Sequence, residues 1–168
     1  NVSVSSFVPK PHTPFQWFPQ DTAAAFHEKQ QYLRDKLKKI KGVSYHYHGT
    51  DSSHLEAVFA RGDRRVSDAL IKAVELGCKY DGWREHLKYD VWMKAFRETG
   101  IDPDFYAHRE RAYDEVLPWD MISSGVKKEF LIGENNKAMQ EIQSPDCRLH
   151  CIGCGINQKV KCTREGTL

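Results

Sequence analysis

Two short segments of alternating apolar and polar residues flank a helical pattern near the start of the chain. The first segment, 2–8, leads into a loop with four prolines and three large aromatic residues. Apolar residues then recur every three or four positions, which predicts a helix that begins after Asp21 or Thr22 and ends at Gly42. The second alternating segment is 43–47. A strand, a helix and a strand in this order predict a βαβ unit with parallel strands.

From residue 50 onward the pattern is helical. Ser52 or Ser53 followed by Glu56 resembles a capping box, which predicts a short helix that ends near residue 60. Two apolar stripes predict the next two helices, which end at Gly77 and Gly100. The stripes consist of Val66, Ala69, Leu70, Ala73 and Val74, and then of Trp83, Leu87, Trp92 and Phe96.

The last third of the chain predicts two more helices. Asp102 followed by Pro103 is typical of a helix start, because proline is tolerated in the first turn. Breaks at 123–125 and at Gly133 predict a final short helix over 134–142. Together with the βαβ unit, these helices predict a mostly helical α+β fold.

Composition indicates a globular chain. With 168 residues, 40% of them hydrophobic, and a net charge of +2, the chain has enough apolar material for a core of ordinary size. This balance gives no support for disorder or for a nucleic-acid partner. No apolar run is long enough to span a bilayer and no signal peptide is recognisable, so we expect a cytoplasmic protein without membrane contact. The chain begins with Asn1 rather than Met, which predicts a piece of a longer polypeptide.

Four of the five cysteines lie close together near the C-terminus. Cys147, Cys151 and Cys154 have CxxxCxxC spacing, and Cys162 follows as a fourth candidate ligand. This clustering favours a metal in a reducing compartment over a disulfide framework. Thiolates in a glycine-containing loop suit either zinc or an iron–sulfur cluster, and the residues leave both open. His150 is an alternative ligand, and the alternative to a metal site is a frayed tail with unligated thiols.

Three arginines surround a predicted helix start. Arg61, Arg64 and Arg65 can together bind a phosphate or a carboxylate, since guanidinium groups pair with both. The alternative is structural: Asp63 caps the helix and the arginines pair with nearby acidic residues. The sequence leaves both interpretations open.

The histidines and tryptophans form no recognisable motif. We interpret four histidines as surface or packing residues: His12, His46, His48 and His54. His46 and His48 share a strand face, but no acidic residue lies between them at a ligand spacing. Three tryptophans are expected in the core rather than in a base-stacking platform: Trp83, Trp92 and Trp119.

Seven segments spread over almost the whole chain form a characteristic set. They are SVSSFVPKPHTPFQW at 3–17, SSHLEAVFARGDRR at 52–65, YDGWREH at 80–86, WMKAF at 92–96, GIDPDFY at 100–106, LPWD at 117–120 and DCRLHCIGCG at 146–155. In this order they resemble the C-terminal region of radical S-adenosylmethionine proteins of the cobalamin-binding-domain-containing family.

The resemblance implies a multidomain enzyme. An upstream cobalamin-binding domain and an upstream barrel of the same polypeptide would be the partners of this chain, and the 4Fe-4S cluster of that barrel cleaves S-adenosylmethionine. The βαβ unit would be the remnant of the barrel. Phe7, Val8 and Pro9 would then lie near the nucleoside end of the cofactor and bind it. The substrate is not specified, and the chain alone is not expected to be active because the cluster motif of the family lies upstream.

The same resemblance divides the chain into three regions. Residues 1–49 would be the end of the barrel, 50–143 a helical C-terminal region and 144–168 a cysteine-rich tail. Gly153 stands where the radical cluster motif usually has an aromatic residue, so the tail cysteines are not expected to be that cluster. Asn157 stands where the family often has a further cysteine. The alternative function is a non-catalytic cysteine-metal domain that mediates protein or RNA contacts.

Overall fold

A computed structural model describes residues 1–159 and residue 162 of the chain. Within these residues the fold is mostly helical α+β, as the sequence predicts. The strands are β1, Val2–Val4, and β2, Tyr45–Tyr47. The helices are α1, Ala23–Leu37; α2, Thr50–Arg61; α3, Val66–Glu75; α4, Tyr89–Thr99; α5, Pro103–Ala107; and α6, Lys128–Met139. None of the described helices is long and apolar enough to cross a bilayer.

The predicted βαβ unit is confirmed. Strands β1 and β2 pair in parallel, with Val2 opposite Tyr45, and α1 connects them. The helix begins as predicted, because Thr22 Oγ1 accepts a hydrogen bond from the backbone N–H of Ala25 at 3.3 Å. Both strands are shorter than the alternating pattern predicts, and α1 ends before the predicted glycine.

The chain forms two compact units whose boundaries differ from the predicted ones at 49 and 143. The first unit comprises Asn1–Pro9 and Phe18–Glu110, and the second comprises Lys10–Trp17 and the chain from Arg111 onward. The predicted helical region 50–143 is therefore split between the two units, after Glu110. The proline-rich loop belongs mainly to the second unit. Of the predicted tail 144–168, residues 160, 161 and 163–168 lie outside the described residues.

The core of the first unit lies among α2, α3, α4 and α5, with α2 packed against α5 and α3 against α4. Ala57 of α2 and Ala69 and Ala73 of α3 have no exposed surface. Trp92 and Phe96 of α4 fill the remaining volume with aromatic rings. Close packing of small and large residues in this way makes each core position sensitive to a change of volume.

The core of the second unit is built on the proline-rich loop. Trp17 packs with Leu117, Trp119 and Leu131, and all four side chains are buried. Gln16 strengthens this packing, because its Oε1 accepts a hydrogen bond from Trp119 Nε1 at 2.6 Å. The loop is thus ordered by aromatic packing, as its composition predicts, and this packing explains why it joins the second unit.

Two predicted helix boundaries are wrong. Gly49 rather than a serine precedes α2, and the hydroxyl groups of Ser52 and Ser53 each donate to the Gly49 carbonyl at 3.2 Å. Serine hydroxyls inside a helix commonly donate back to the preceding turn, and here that bond replaces the capping box. Gly133 does not end a segment but lies inside α6. An interior glycine costs about 1 kcal/mol, which tertiary packing can offset.

The predicted apolar stripes are only partly buried. Trp92 and Trp119 are buried as expected, but Trp83 is 65% exposed. Trp83 lies in a turn before α4 rather than on a helix, so it does not share with Trp92 the helix face that its spacing predicts. Leu70 and Val74 of α3 are likewise exposed, because the buried face of that helix is narrower than the stripe.

Candidate functional site

The four C-terminal cysteines line one cavity in the second unit. Cys147, Cys151, Cys154 and Cys162 surround a volume of about 210 Å³, together with Ile152, Ile156 and Asn157. His150, the alternative ligand, does not line this cavity. The four residues that the spacing selected as a ligand set therefore line the same cavity, and their role toward a metal stays a prediction. All four are free cysteines, and Cys154 is the least exposed of them.

The backbone of the tail is shaped by two glycines. Gly153 and Gly155 have φ of 78° and 99°, a left-handed conformation that other residues adopt at a cost. A Cβ atom on Gly155 would lie 2.6 Å from Cγ of Lys127, so the Lys127 side chain would have to move to admit any other residue. The N–H of Lys127 donates to the Cys154 carbonyl at 2.9 Å, which ties the loop to the start of α6. These features turn the chain sharply between cysteines.

The cavity is wider than a closed single-ion site. Among the described residues, the group of potential ligand atoms that all lie within 4.8 Å of one another contains no cysteine. In a tetrahedral zinc site each sulfur lies about 2.3 Å from the ion, so zinc would need the loop to tighten. An iron–sulfur cluster is larger and holds its thiolates on separate irons, so zinc and a cluster differ in how far the loop must close.

The three arginines are not brought together at one anion site. Arg61 is fully buried, and its guanidinium donates to the carbonyls of Tyr106, Ala107 and Arg109 at 2.7–2.8 Å. These carbonyls lie at the C-terminal end of α5, where a positive charge is favourable. Arg61 is thus placed to hold α2 and α5 together, while Arg64 is exposed.

Asp63 and Arg65 form a local ion pair. The Asp63 carboxylate accepts from the backbone N–H of Arg65 at 2.9 Å and from its guanidinium at 2.6 Å. These hydrogen bonds to Arg65 hold the pKa of Asp63 down, to about 2. This pairing matches one part of the structural interpretation, in which arginines bind nearby acidic residues. The other part is wrong, because the N-cap of α3 is Arg65, with no side-chain cap hydrogen bond, rather than Asp63.

The three residues implied to bind S-adenosylmethionine lie at the end of the N-terminal strand segment. Pro9 is fully buried, Val8 packs against the first core and Phe7 is half exposed. The Phe7 carbonyl accepts a hydrogen bond from Nε2 of the buried Gln20 at 3.1 Å. Their role toward a cofactor stays a prediction.

A second cluster of potential ligands lies in the first unit, and no motif in the sequence predicted it. Nε2 of His54 lies 3.2 Å from Oδ1 of Asp104, and Nε2 of His108 lies 3.7 Å from the same atom. The two imidazole rings stack with centroids 5.2 Å apart and planes 3° apart. His54 comes from α2, whereas Asp104 and His108 lie one turn apart at α5.

Hydrogen bonds fix the orientation of both rings. Nδ1 of His54 pairs with the Tyr89 hydroxyl at 2.7 Å, and Nδ1 of His108 lies 2.9 Å from the Gln20 carbonyl. Burial lowers the pKa of His54 most, and the charge of His108 lowers it further. Burial also raises the pKa of Tyr89 to about 12, so its hydroxyl stays protonated at neutral pH.

This cluster opens into a cavity of about 280 Å³. The walls come from the first turn of α1, the start of α2 and Tyr89, and include Thr22, Thr50 and Asp51. Asp104 lies at the mouth, since its side chain is 69% exposed. The cavity therefore gives solvent and small ligands access to the three side chains.

One feature of this cluster can be recognised in the sequence, namely the spacing of Asp104 and His108. Asp104 and His108 stand four positions apart after a helix start, a spacing that places two side chains on one helix face. His54 carries no such signal, because its distance from α5 along the sequence hides the contact. Interpreting His54 as a packing residue was incomplete for this reason.

Comparison with known proteins gives one weak relationship. No family model matches the chain, and no solved structure does. The chain is similar to an uncharacterized protein of Methanocaldococcus jannaschii, with 26% identity over 100 residues, or 60% of this chain. The chain spans only 22% of the length of that relative, whose name states no activity.

Proposed function

We propose that this chain is the C-terminal part of a radical S-adenosylmethionine enzyme of the cobalamin-associated type. In this proposal its tail holds a metal centre on four thiolates, Cys147, Cys151, Cys154 and Cys162. The observation that carries the metal centre is the shared cavity that these four cysteines line. The enzyme class rests on the resemblance of the seven segments, which run in order along the chain.

The donor set fits both metal centres that the sequence left open. Thiolates are the ligands that zinc and iron–sulfur clusters share, and four of them complete either coordination sphere. The turns at Gly153 and Gly155 let ligands that are close in sequence converge on one centre. Ile152 and Ile156 line the same cavity and give it an apolar wall. An apolar wall limits the access of water to a metal centre and thereby shifts its redox potential.

Metal binding should protect the tail thiols from alkylation. Three of the four cysteines are exposed without a ligand, so an unligated tail should react fully with iodoacetamide in the folded chain. We expect the anaerobically purified chain to resist modification at these positions and to lose that resistance after treatment with a chelator. Mass spectrometry of tryptic peptides measures the modification at each cysteine.

Cys78 is the internal control for this experiment. It is 3% exposed, and burial raises its pKa, so its protection depends on folding rather than on metal. Cys151→Ser should expose the other tail thiols without a chelator, whereas Cys78→Ala should leave them protected. Equal alkylation of the tail before and after chelation would contradict the metal centre.

The enzyme class has a separate test. We expect this chain alone to form no 5′-deoxyadenosine from S-adenosylmethionine and dithionite, because the radical cluster would lie upstream. The full reading frame, expressed and reconstituted with iron and sulfide, should form it. Turnover by the chain alone would contradict the assignment of the tail cysteines to a separate centre. A full-length protein without an upstream barrel motif would instead favour the non-catalytic metal domain.

A further inference from the structure

We propose that His54, Asp104 and His108 bind a divalent transition-metal ion whose remaining coordination positions face the adjoining cavity. This site lies wholly in the first unit and is independent of the cysteine tail. The ion belongs to the borderline class that imidazole and carboxylate ligands share, which includes Zn²⁺, Fe²⁺ and Co²⁺.

The geometry of the three side chains matches a ligand set. One potential ligand atom from each residue lies within 4.8 Å of the other two, and both Nε2 atoms face the same carboxylate oxygen. Atoms bound to one ion at about 2.0–2.2 Å lie 3–4 Å apart, so only small side-chain movements are needed. Two histidines and one carboxylate on one side of an ion are a recurrent arrangement that leaves other positions open.

Acceptor atoms converge at the centre of the cluster when the His108 ring is neutral. The Gln20 carbonyl is only an acceptor, so Nδ1 of His108 carries a proton, and in the neutral form of the ring Nε2 then offers a lone pair. That lone pair faces Oδ1 of Asp104, which is also an acceptor. Nε2 of His54 is buried and lies 3.2 Å from the same Asp104 oxygen, but without good hydrogen-bond geometry. A cation at the centre would satisfy all three atoms at once.

Outer hydrogen bonds support the same interpretation. A histidine that binds a metal commonly uses its second ring nitrogen to hold a carbonyl or another polar group, which sets the ring orientation. Gln20 does this for His108, and Tyr89 does it for His54. Gln20 is itself fixed, since its Nε2 donates to the carbonyls of Phe7 and Ser53 at 3.1 Å. Both histidines are thus held in place before an ion arrives.

The cavity distinguishes this site from a closed structural site. Structural zinc sites surround the ion with four protein ligands, whereas three ligands and a solvent-accessible side leave room for water or a substrate. The cavity of about 280 Å³ holds several water molecules, because each needs only about 30 Å³. Asp51 also lines it, so a second carboxylate lies near the open side of the ion.

Cobalt titration of the full chain tests this site apart from the tail. Co²⁺ bound by thiolates absorbs strongly in the near ultraviolet through charge transfer from sulfur, whereas Co²⁺ bound by imidazole and carboxylate shows only the weaker visible bands. We expect one equivalent of the second kind in the chelator-treated chain, in addition to any thiolate-bound cobalt. Circular dichroism of each variant confirms that it remains folded.

Four variants separate ligation from structure. Asp104→Asn keeps the shape of an exposed side chain but removes the carboxylate ligand. It should weaken Co²⁺ binding by more than about 100-fold, the upper end of the loss when only a hydrogen-bond partner of a ligand is removed. His108→Ala should do the same, and Tyr89→Phe should weaken binding by about 10- to 100-fold. His27→Ala removes an exposed histidine of α1 and should change nothing. Absence of cobalt bands of the nitrogen–oxygen type, or an Asp104→Asn affinity within twofold of the original, would overturn the site.

Discussion

Replacing Arg61 with methionine should lower the free energy of unfolding of the first unit by about 2–6 kcal/mol, because leaving a buried acceptor unpaired costs about 1–3 kcal/mol and two carbonyls lose their partner. The guanidinium donates to three backbone carbonyls at the end of α5, and methionine fills a similar volume without any donor. Ala107 keeps a second donor, the N–H of Gln20 at 2.8 Å, but the carbonyls of Tyr106 and Arg109 would lose a strong partner. Urea denaturation measures the change.

Arg64→Met is the matched control, because Arg64 is exposed and lies in the same segment. Surface substitutions of this kind usually change stability by no more than about 0.5 kcal/mol. Arg61→Met should also weaken cobalt binding, since α5 carries Asp104 and His108. A stability loss as small as that of the control would contradict the structural role of Arg61 and return it to the anion-site hypothesis.

Replacing Trp17 with alanine should destabilise the second unit by about 3–5 kcal/mol, as expected for truncating a buried aromatic side chain. Trp17 is 1% exposed and packs edge-on against Tyr113, with ring centroids 4.9 Å apart. Few other large side chains form this core, so the cavity left behind has little to fill it. Differential scanning calorimetry should show an earlier transition or a separate one for this unit.

Trp83→Ala provides the control for this substitution, since Trp83 is 65% exposed. Trp17→Phe should cost less than the alanine substitution, because the Trp17 indole N–H is buried and makes no hydrogen bond within the described residues. Equal melting temperatures for Trp17→Ala and Trp83→Ala would contradict the assigned core.

Local signals in the sequence predicted the parts of the fold that depend on neighbouring residues. The βαβ unit, the cap at Thr22 and the helix start at Asp102 follow from alternation, capping chemistry and the fixed φ of proline. The spacing of the four tail cysteines selected residues that line one cavity, because all of them lie within one short stretch, and their metal binding stays a prediction. Such features need no knowledge of the remaining chain.

Features that depend on residues distant in sequence could not be predicted. The sequence predicts that Arg61 binds an anion or pairs with nearby acidic residues, yet its guanidinium donates to carbonyls more than forty positions away. His54 meets Asp104 and His108 only because α2 packs against α5. The exposure of Trp83 has the same origin, since Trp83 lies before the start of α4 and does not share a helix face with Trp92. Packing, rather than any local pattern, decides each of these positions.

The metal content of the anaerobically purified chain tests the central claim most directly. Elemental analysis and a visible spectrum should show either about one zinc ion per chain or several irons with a brown colour, and Cys151→Ser should lose that metal. The first result would assign a zinc site to the four thiolates, and the second an iron–sulfur cluster. A chain that contains neither metal, while all four tail thiols react freely in the folded protein, would contradict the account.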